Sequence, residues 1–413
     1  MAPPRAAGDL PARTDVAIVG GGYTGLAAAR ALARRGADVT VLERYTLGWG
    51  ASSRNGGFVL PGFKPDVEVL ARKLGLAEAR RLFRLSVEAV EGLEALIAEE
   101  AIECAYARCG TVVLAAAPGH LAGLERSRRF LRVELGHETT VLGPAELRGE
   151  IGSARYHGGL LDPLAGSVQP AALLRGLAGA AERAGARLVE GVEVRAVARR
   201  GSGVELATSS GIIAARDVLV ATNGYTGPAV PALQRRVVPI GSHLIATAPL
   251  DPALARRLIP RARVLSDTKN LLYYFRLSPD GRMVFGGRAA FTPTPIARTA
   301  AILARGMVEV FPELKDAPVE YAWGGQVAFT LDQMPHAGRL GGRLDGVHYC
   351  LGYGGHGVAL ATWLGARLGD ALAGAGELPR LTQPFRAVPL YHGTPWFLPL
   401  VGGYYRVRDW VGR

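Results

Sequence analysis

The chain has 413 residues, 49% of them apolar, and a net charge of +12 at neutral pH. That length exceeds one ordinary domain and predicts two, or one with a large insertion. The charge invites a nucleic-acid reading, but only four of the 48 basic residues are lysines, and the densest cluster, "RSRR" at 126–129, has no aromatic neighbours on which bases could stack. A solvated arginine surface accounts for it, and no nucleic-acid partner is expected.

Cys104, Cys109 and Cys350 form no CxxC pair and leave one thiol over. They suit a reducing cytoplasm and argue against a disulfide framework or a metal site. No apolar run reaches about 18 residues, so no transmembrane segment is expected. The opening "MAPPRAAGDLPARTD" lacks the apolar core of a signal peptide and reads as a frayed tail.

Residues 15–43 predict strand, turn, helix, strand. An apolar run at 16–19 meets Gly20, Gly22 and Gly25, a helical stretch follows, and a second apolar run ends at Glu43. Gly20 permits the tight turn, Gly22 lets a phosphate approach the backbone, and Gly25 with Ala29 lets the helix lie on the sheet. Tyr23 and Thr24 then open a helix whose N–H groups and dipole suit a pyrophosphate. Glu43 stands where a carboxylate accepts both ribose hydroxyls and would repel a 2′-phosphate, which argues against NADP.

The stretch after Glu43 separates FAD from NAD. An NAD domain continues into further strand–helix units, whereas here Arg44 leads into "GWGASSRNGGF" at 48–58 and then a long amphipathic segment, 67–100. A loop of small residues directly after the ribose acid can cross a phosphate chain and reach a planar ring. Its contributors are Gly50, Ala51, Ser52, Ser53, Arg54, Asn55, Gly56 and Gly57.

Further along, "GARLVEGVEVRAVARRGSGVELATSSG" alternates as strands and turns; Val194 is either an adenine contact or plain core. The buried run 218–221 ends in Ala221, Thr222, Asn223 and Gly224, small residues at the carboxyl end of a strand, where α/β sheets bind ligands. Between about 231 and 334 an antiparallel sheet is expected. "NLLYYFRLSPDGRMVFGGRAAF" reads as a hairpin with its turn at "SPDG", and Tyr273, Tyr274, Arg288 and Trp323 could roof a flavin and bind substrate, or pack as core. A second GxGxxG, Gly352, Gly354 and Gly357, follows an apolar strand and opens a helix, but no second strand with a terminal acid succeeds it. Tyr353, Gly355, His356 and Val358 complete this helix start, whose dipole can stabilise negative charge on a reduced flavin.

These segments resemble, in order and almost end to end, the FAD-dependent D-amino-acid-oxidase-like oxidoreductases, and most closely their gamma-glutamylputrescine oxidoreductase branch. The resemblance rests on "GASSRNGGF", "GGLLDPLAGSVQPAALLRGLA", "VLVATNGYTG", "VVPIGSHLIATAPL", "FTLDQMPHAGRL", "YCLGYGGHGVALAT" and "YYRVRDW". It implies a glutathione-reductase-like Rossmann FAD domain (13–65, about 143–230, 335–378), interleaved with an α+β substrate domain on an antiparallel sheet (66–142, 231–334). The tail, 379–413, packs on the body. It also implies non-covalent FAD and oxidation of a primary or secondary amine to an imine that hydrolyses, with oxygen as acceptor. Ala51 to Ser53 would face phosphate and ribityl, and Arg54 to Gly57 the isoalloxazine. His356, Arg54, Tyr273 and Arg288 are the candidate catalytic residues.

Two departures qualify the resemblance. Sarcosine-oxidase-like relatives carry a carboxylate-clamping lysine just after "GHG", where this chain has Ala359. Some also carry a lysine over the flavin that helps oxygen react, and "RMVFGGRAA" has none. The first disfavours small amino acids; an amino-acid oxidase, or a flavin module without turnover, is the alternative. The second leaves oxidase and dehydrogenase open, with His356 or Arg54 as substitute cations. The tail "TPWFLPLVGGYYRVRDW" could touch a membrane surface, but its Pro and Gly are expected to interrupt any long helix.

Overall fold

A computed structural model describes residues 10–287, 294–381 and 384–411. Arg288 lies outside the described residues. Two eight-stranded sheets organise the chain. The first runs His336–Arg339, Val347–Leu351, Gly211–Val220, Arg13–Val19, Val39–Leu42, Arg187–Val189, with the hairpin Val194–Arg200/Gly203–Thr208 joined to Gly211–Val220. Its central pairings are parallel, as the apolar runs buried on both faces require. Helix Tyr23–Arg34 follows the first strand and helix Gly357–Leu372 follows Val347–Leu351. The two helices touch through glycines. A Cβ on Gly365 would lie 2.3 Å from the Thr24 carbonyl oxygen, and one on Gly369 would lie 2.6 Å from that of Ala28. Both glycine-rich turns are thereby brought to one side of the sheet.

The second sheet runs Val319–Phe329, Val238–Thr247, Met283–Gly287, Tyr273–Leu277, Val264–Asp267, Thr111–Leu114, Gly159–Asp162, Thr140–Leu142. It is antiparallel except where Val264–Asp267 meets Thr111–Leu114. The hairpin expected around "SPDG" is present. The strand Gly159–Asp162 belongs to this sheet, so the nucleotide segment placed at 143–230 begins after it. That strand pairs between Thr111–Leu114 and Thr140–Leu142, and those neighbours set its sheet. One face of the second sheet packs Phe275, Phe285 and Tyr273 against helix Ile296–Val310; the other looks toward the first sheet.

Helix Leu76–Glu99 carries the amphipathic pattern expected after the loop, with Leu82, Leu85, Ala89, Val90, Leu93 and Leu96 turned inward. The tail departs from expectation. Leu398–Val411 is helical despite Pro399, Gly402 and Gly403. Pro399 falls in the first turn, where its missing N–H costs nothing, and Leu398, Val401 and Tyr405 pack against Val238, Ile240 and Tyr391. Among the described residues no helix is long and apolar enough to cross a membrane.

Candidate functional site

Between the sheets lies one cavity of about 1800 Å³. One end is built by the first sheet. Gly20 turns at φ +109°, and a Cβ there would lie 3.0 Å from the Ala221 carbonyl oxygen. Gly22 caps helix Tyr23–Arg34 with extended backbone and lines the cavity with Tyr23 and Thr24. Ser52 reaches across from the loop, its Oγ accepting the Tyr23 N–H at 3.0 Å. Glu43 lines the same end, its carboxylate accepting N–H bonds from Gly21 (2.8 Å) and Tyr45 (3.0 Å). Burial raises its pKa above the ordinary carboxylate range, and those N–H groups oppose the rise. Arg44, which pairs with Glu193 at 3.3 Å, and Val194 line the wall beyond.

The loop 48–57 closes the middle of the cavity. Ala51–Arg54 forms one helical turn. Gly50, Ala51, Ser52, Arg54, Asn55 and Gly56 line the space. Arg54 is committed elsewhere. Its guanidinium donates to the Trp49 carbonyl (2.5 Å) and the Gly324 carbonyl (3.2 Å), and it stacks 4.8 Å over the Trp49 ring. Trp323 Nε1 returns a bond to the Arg54 carbonyl at 3.0 Å. Arg54 therefore latches the loop to the second sheet and is not a free cation for the reaction.

Ala221, Thr222 and Asn223 follow strand Gly211–Val220 and line the cavity. Asn223 sits at φ +45°, and its Oδ1 accepts the Gly352 N–H at 2.9 Å, tying the two glycine-rich segments together. Tyr353, Gly354, Gly355, His356, Gly357 and Val358 line the opposite wall at the start of helix Gly357–Leu372. The Tyr353 hydroxyl is 2.6 Å from Thr24 Oγ1. His356 Nδ1 is buried without a hydrogen-bond partner. Burial, helped by the Lys64 charge, pushes its pKa down to about 4, so His356 is neutral at pH 7 and cannot stand in for a missing cation.

Several expected contacts are not made directly. Gly25, Ser53, Gly57, Gly224 and Gly352 do not line the cavity. Gly25 packs behind it, since a Cβ would lie 2.0 Å from the Gly20 carbonyl oxygen. The Ser53 hydroxyl donates to the Gly48 carbonyl at 2.5 Å. Gly57 (φ +75°) is crowded by the Val168 carbonyl, Gly224 by the backbone of Gln326, and Gly352 by Thr330. Tyr273 is a correction. It points to the core beside Phe285, with Lys269 Nζ 3.5 Å over its ring, while Tyr274 faces the cavity and holds Ser242 Oγ at 2.9 Å. Successive residues of a strand point to opposite faces, so the pair could not both line the space.

Sequence reading missed Lys64, which lines the wall beside Gly354. A Cβ on Gly354 would lie 2.8 Å from the Lys64 Cβ. Its only local signal was being one of four lysines. The far end of the cavity adds Glu68, Lys73, His120, Arg126, Thr139 and Asp162, residues from four separate segments with no shared motif.

A glycine turn feeding a helix start, a ribose-height carboxylate and a small-residue loop leading to a second helix start suit the phosphates, ribose and ring of a dinucleotide. The orphaned His356 Nδ1 adds a hydrogen-bonding group at the ring end. The fold and site thus define a two-sheet flavoprotein with its ligand cavity between the sheets. The chain belongs to the FAD dependent oxidoreductase family, whose model matches residues 15–371. It is 35% identical over 407 residues to the probable oxidoreductase OrdL of Rhizobium meliloti, covering 96% of this chain and 92% of that protein. It is 33% identical over 402 residues to gamma-glutamylputrescine oxidoreductase of Escherichia coli, covering 96% and 93%. Glycine oxidase from Geobacillus kaustophilus shares the fold, with a TM-score of 0.78 at 23% identity over 92% of this chain and 100% of that one.

Proposed function

We propose that this FAD-dependent oxidoreductase oxidises a primary or secondary amine on an extended substrate, giving an imine that water hydrolyses to an aldehyde or ketone. The single observation that carries this reading is that the cavity continues past the residues assigned to FAD, beyond Lys64 to Lys73, Arg126 and Asp162. The relative named gamma-glutamylputrescine oxidoreductase supports it. Bound FAD supplies the two-electron acceptor for the C–H bond beside nitrogen. The chain's part is to hold the flavin and position the amine. Gly20, Gly22 and the helix start at Tyr23 receive the pyrophosphate, Glu43 the ribose, Val194 the adenine side, and 50–56 with 353–358 the ring. Tyr274 and Ser242 hold the substrate face, and Lys64 supplies the positive charge that neutral His356 does not. Closing these groups over the amine excludes water and fixes the reacting geometry.

FAD is non-covalent, the setting cytoplasmic and oxygen the acceptor in this reading. A membrane-borne acceptor is favoured by one observation. Leu400, Tyr404 and Val407 are exposed along helix Leu398–Val411, whose Tyr405 and Arg408 line the cavity. Anaerobic mixing with a panel of amines and amino acids tests the substrate. Bleaching of the flavin by extended amines is expected, and bleaching by glycine or D-amino acids alone would replace this reading with an amino-acid oxidase. No bleaching by any of them would leave a flavin module without turnover. Admitting air to the reduced enzyme tests the acceptor: rapid reoxidation with peroxide is expected, and reoxidation over many minutes, with fast turnover on a quinone analogue, would make it a dehydrogenase.

A further inference from the structure

Arg276 lies two residues from Tyr274 on the cavity-side face of strand Tyr273–Leu277, yet it is only 5% exposed. Among the described residues no carboxylate contacts it, and Asp280 and Cys109 act on it only electrostatically, from beyond ion-pair distance. Its Nε donates to the Gly56 carbonyl at 2.6 Å, Nη2 to the Val168 carbonyl at 2.9 Å and Nη1 to the Leu277 carbonyl at 3.0 Å. Among the described residues it makes no ion pair within 4 Å with a carboxylate. A guanidinium stays protonated when buried, so a full positive charge sits behind the loop whose Gly56 lines the cavity. Fold stability alone gives little reason to keep it, because a buried charge without a contacting counter-ion is costly and an apolar side chain would fill the same space.

We propose that Arg276 is an electrostatic and positioning residue for the flavin: it clips the loop at Gly56 to the segment at Val168, and its buried charge, held by carbonyls and not by a contacting carboxylate, favours the electron-rich, reduced state of the bound ring. The loop is fixed from both directions. Arg54 ties its middle to Gly324, and Arg276 ties its end to Val168. Only the second latch carries its charge buried, and in a poorly screened interior that charge acts over a longer range than an exposed one. The proposal rests on FAD occupying this cavity.

Three variants separate field from clip. Arg276→Met removes both. Arg276→Lys keeps the charge and loses the three-way clip. Cys109→Asp places a carboxylate near the guanidinium, with which Cys109 already interacts electrostatically, and leaves all three bonds in place. Each is read by dye-equilibrated midpoint potential, FAD affinity and thermal midpoint. For Met and for Cys109→Asp the reduced-to-oxidised ratio at fixed potential should fall by about tenfold, or about 30 mV for a two-electron couple. For Lys the potential should hold while FAD affinity drops. An unmoved potential in Cys109→Asp, or in a flavin-loaded Met variant, would reduce Arg276 to a structural clip. Wild-type protein that fails to bind FAD would overturn the underlying reading instead.

Discussion

Gly22 and Gly25 stand three residues apart in one turn, yet they should fail in different ways when substituted. A Cβ on Gly22 meets only Ser52, with Oγ at 2.9 Å and Cβ at 3.8 Å, and the Gly22 backbone (φ −94°, ψ −173°) admits any residue. Gly22→Val therefore leaves the apoprotein within about 1 kcal/mol of wild type, since one serine rotamer absorbs the contact. The added side chain then fills the approach to the helix start. Losing about two charge-assisted bonds to a phosphate removes roughly 3–6 kcal/mol, on the order of 10²–10⁴-fold in FAD Kd. Gly25→Ala is the converse. Its Cβ would lie 2.0 Å from the Gly20 carbonyl oxygen and 3.1 Å from Ile18 Cγ2, neither of which is a free side-chain end. Overpacking of that kind costs about 3 kcal/mol or more of stability. Flavin-fluorescence titration of apoprotein gives Kd, and apoprotein melting gives stability. Wild-type FAD affinity in Gly22→Val, or an apoprotein melting loss as large as that of Gly25→Ala, would refute the division of roles between the two glycines.

Acid precipitation should release all the flavin. Burial pushes the Cys350 thiol up to about 12 and hides it beneath Tyr353, so a coloured pellet would contradict a non-covalent site. His356 makes stability pH-dependent. Its folded pKa of about 4 lies below the unfolded value of 6.5, so the unfolded chain binds the extra proton between those values and stability falls as pH drops through that window. His356→Gln should flatten the loss, worth up to about 3 kcal/mol, as followed by urea midpoints at pH 7.5 and 4.5. Arg54→Ala should weaken FAD binding and cost about 1–3 kcal/mol of stability by freeing the loop from Trp49 and Gly324, with thermal midpoint and FAD Kd as readouts. Tyr274→Ala should raise KM for the amine, whereas Tyr273→Ala should lower stability by about 3 kcal/mol and leave KM unchanged; steady-state kinetics beside melting curves distinguish them.

What the sequence determined by itself was local and periodic. The strand–turn–helix–strand at 15–43, the second helix start at 357, the hairpin around "SPDG" and the small-residue loop each announce themselves over a few residues, because glycine turns and apolar periods act at short range. Most residues expected at the flavin do line the cavity for the same reason: they sit in or beside those turns. The tertiary structure decided what depends on distant partners. It set the parity of "YYFR", so that Tyr274 and Arg276 face the cavity side and Tyr273 the core. It sent strand Gly159–Asp162 to the second sheet and turned Arg54 from a candidate reagent into a latch. It also brought Lys64 beside Gly354, nearly 300 positions on, and gave the tail a surface of Val238, Ile240 and Tyr391 on which Pro399 and two glycines could still form a helix. In each case the deciding energy is burial or a hydrogen bond supplied by a segment far away in the chain, which no window of local sequence contains.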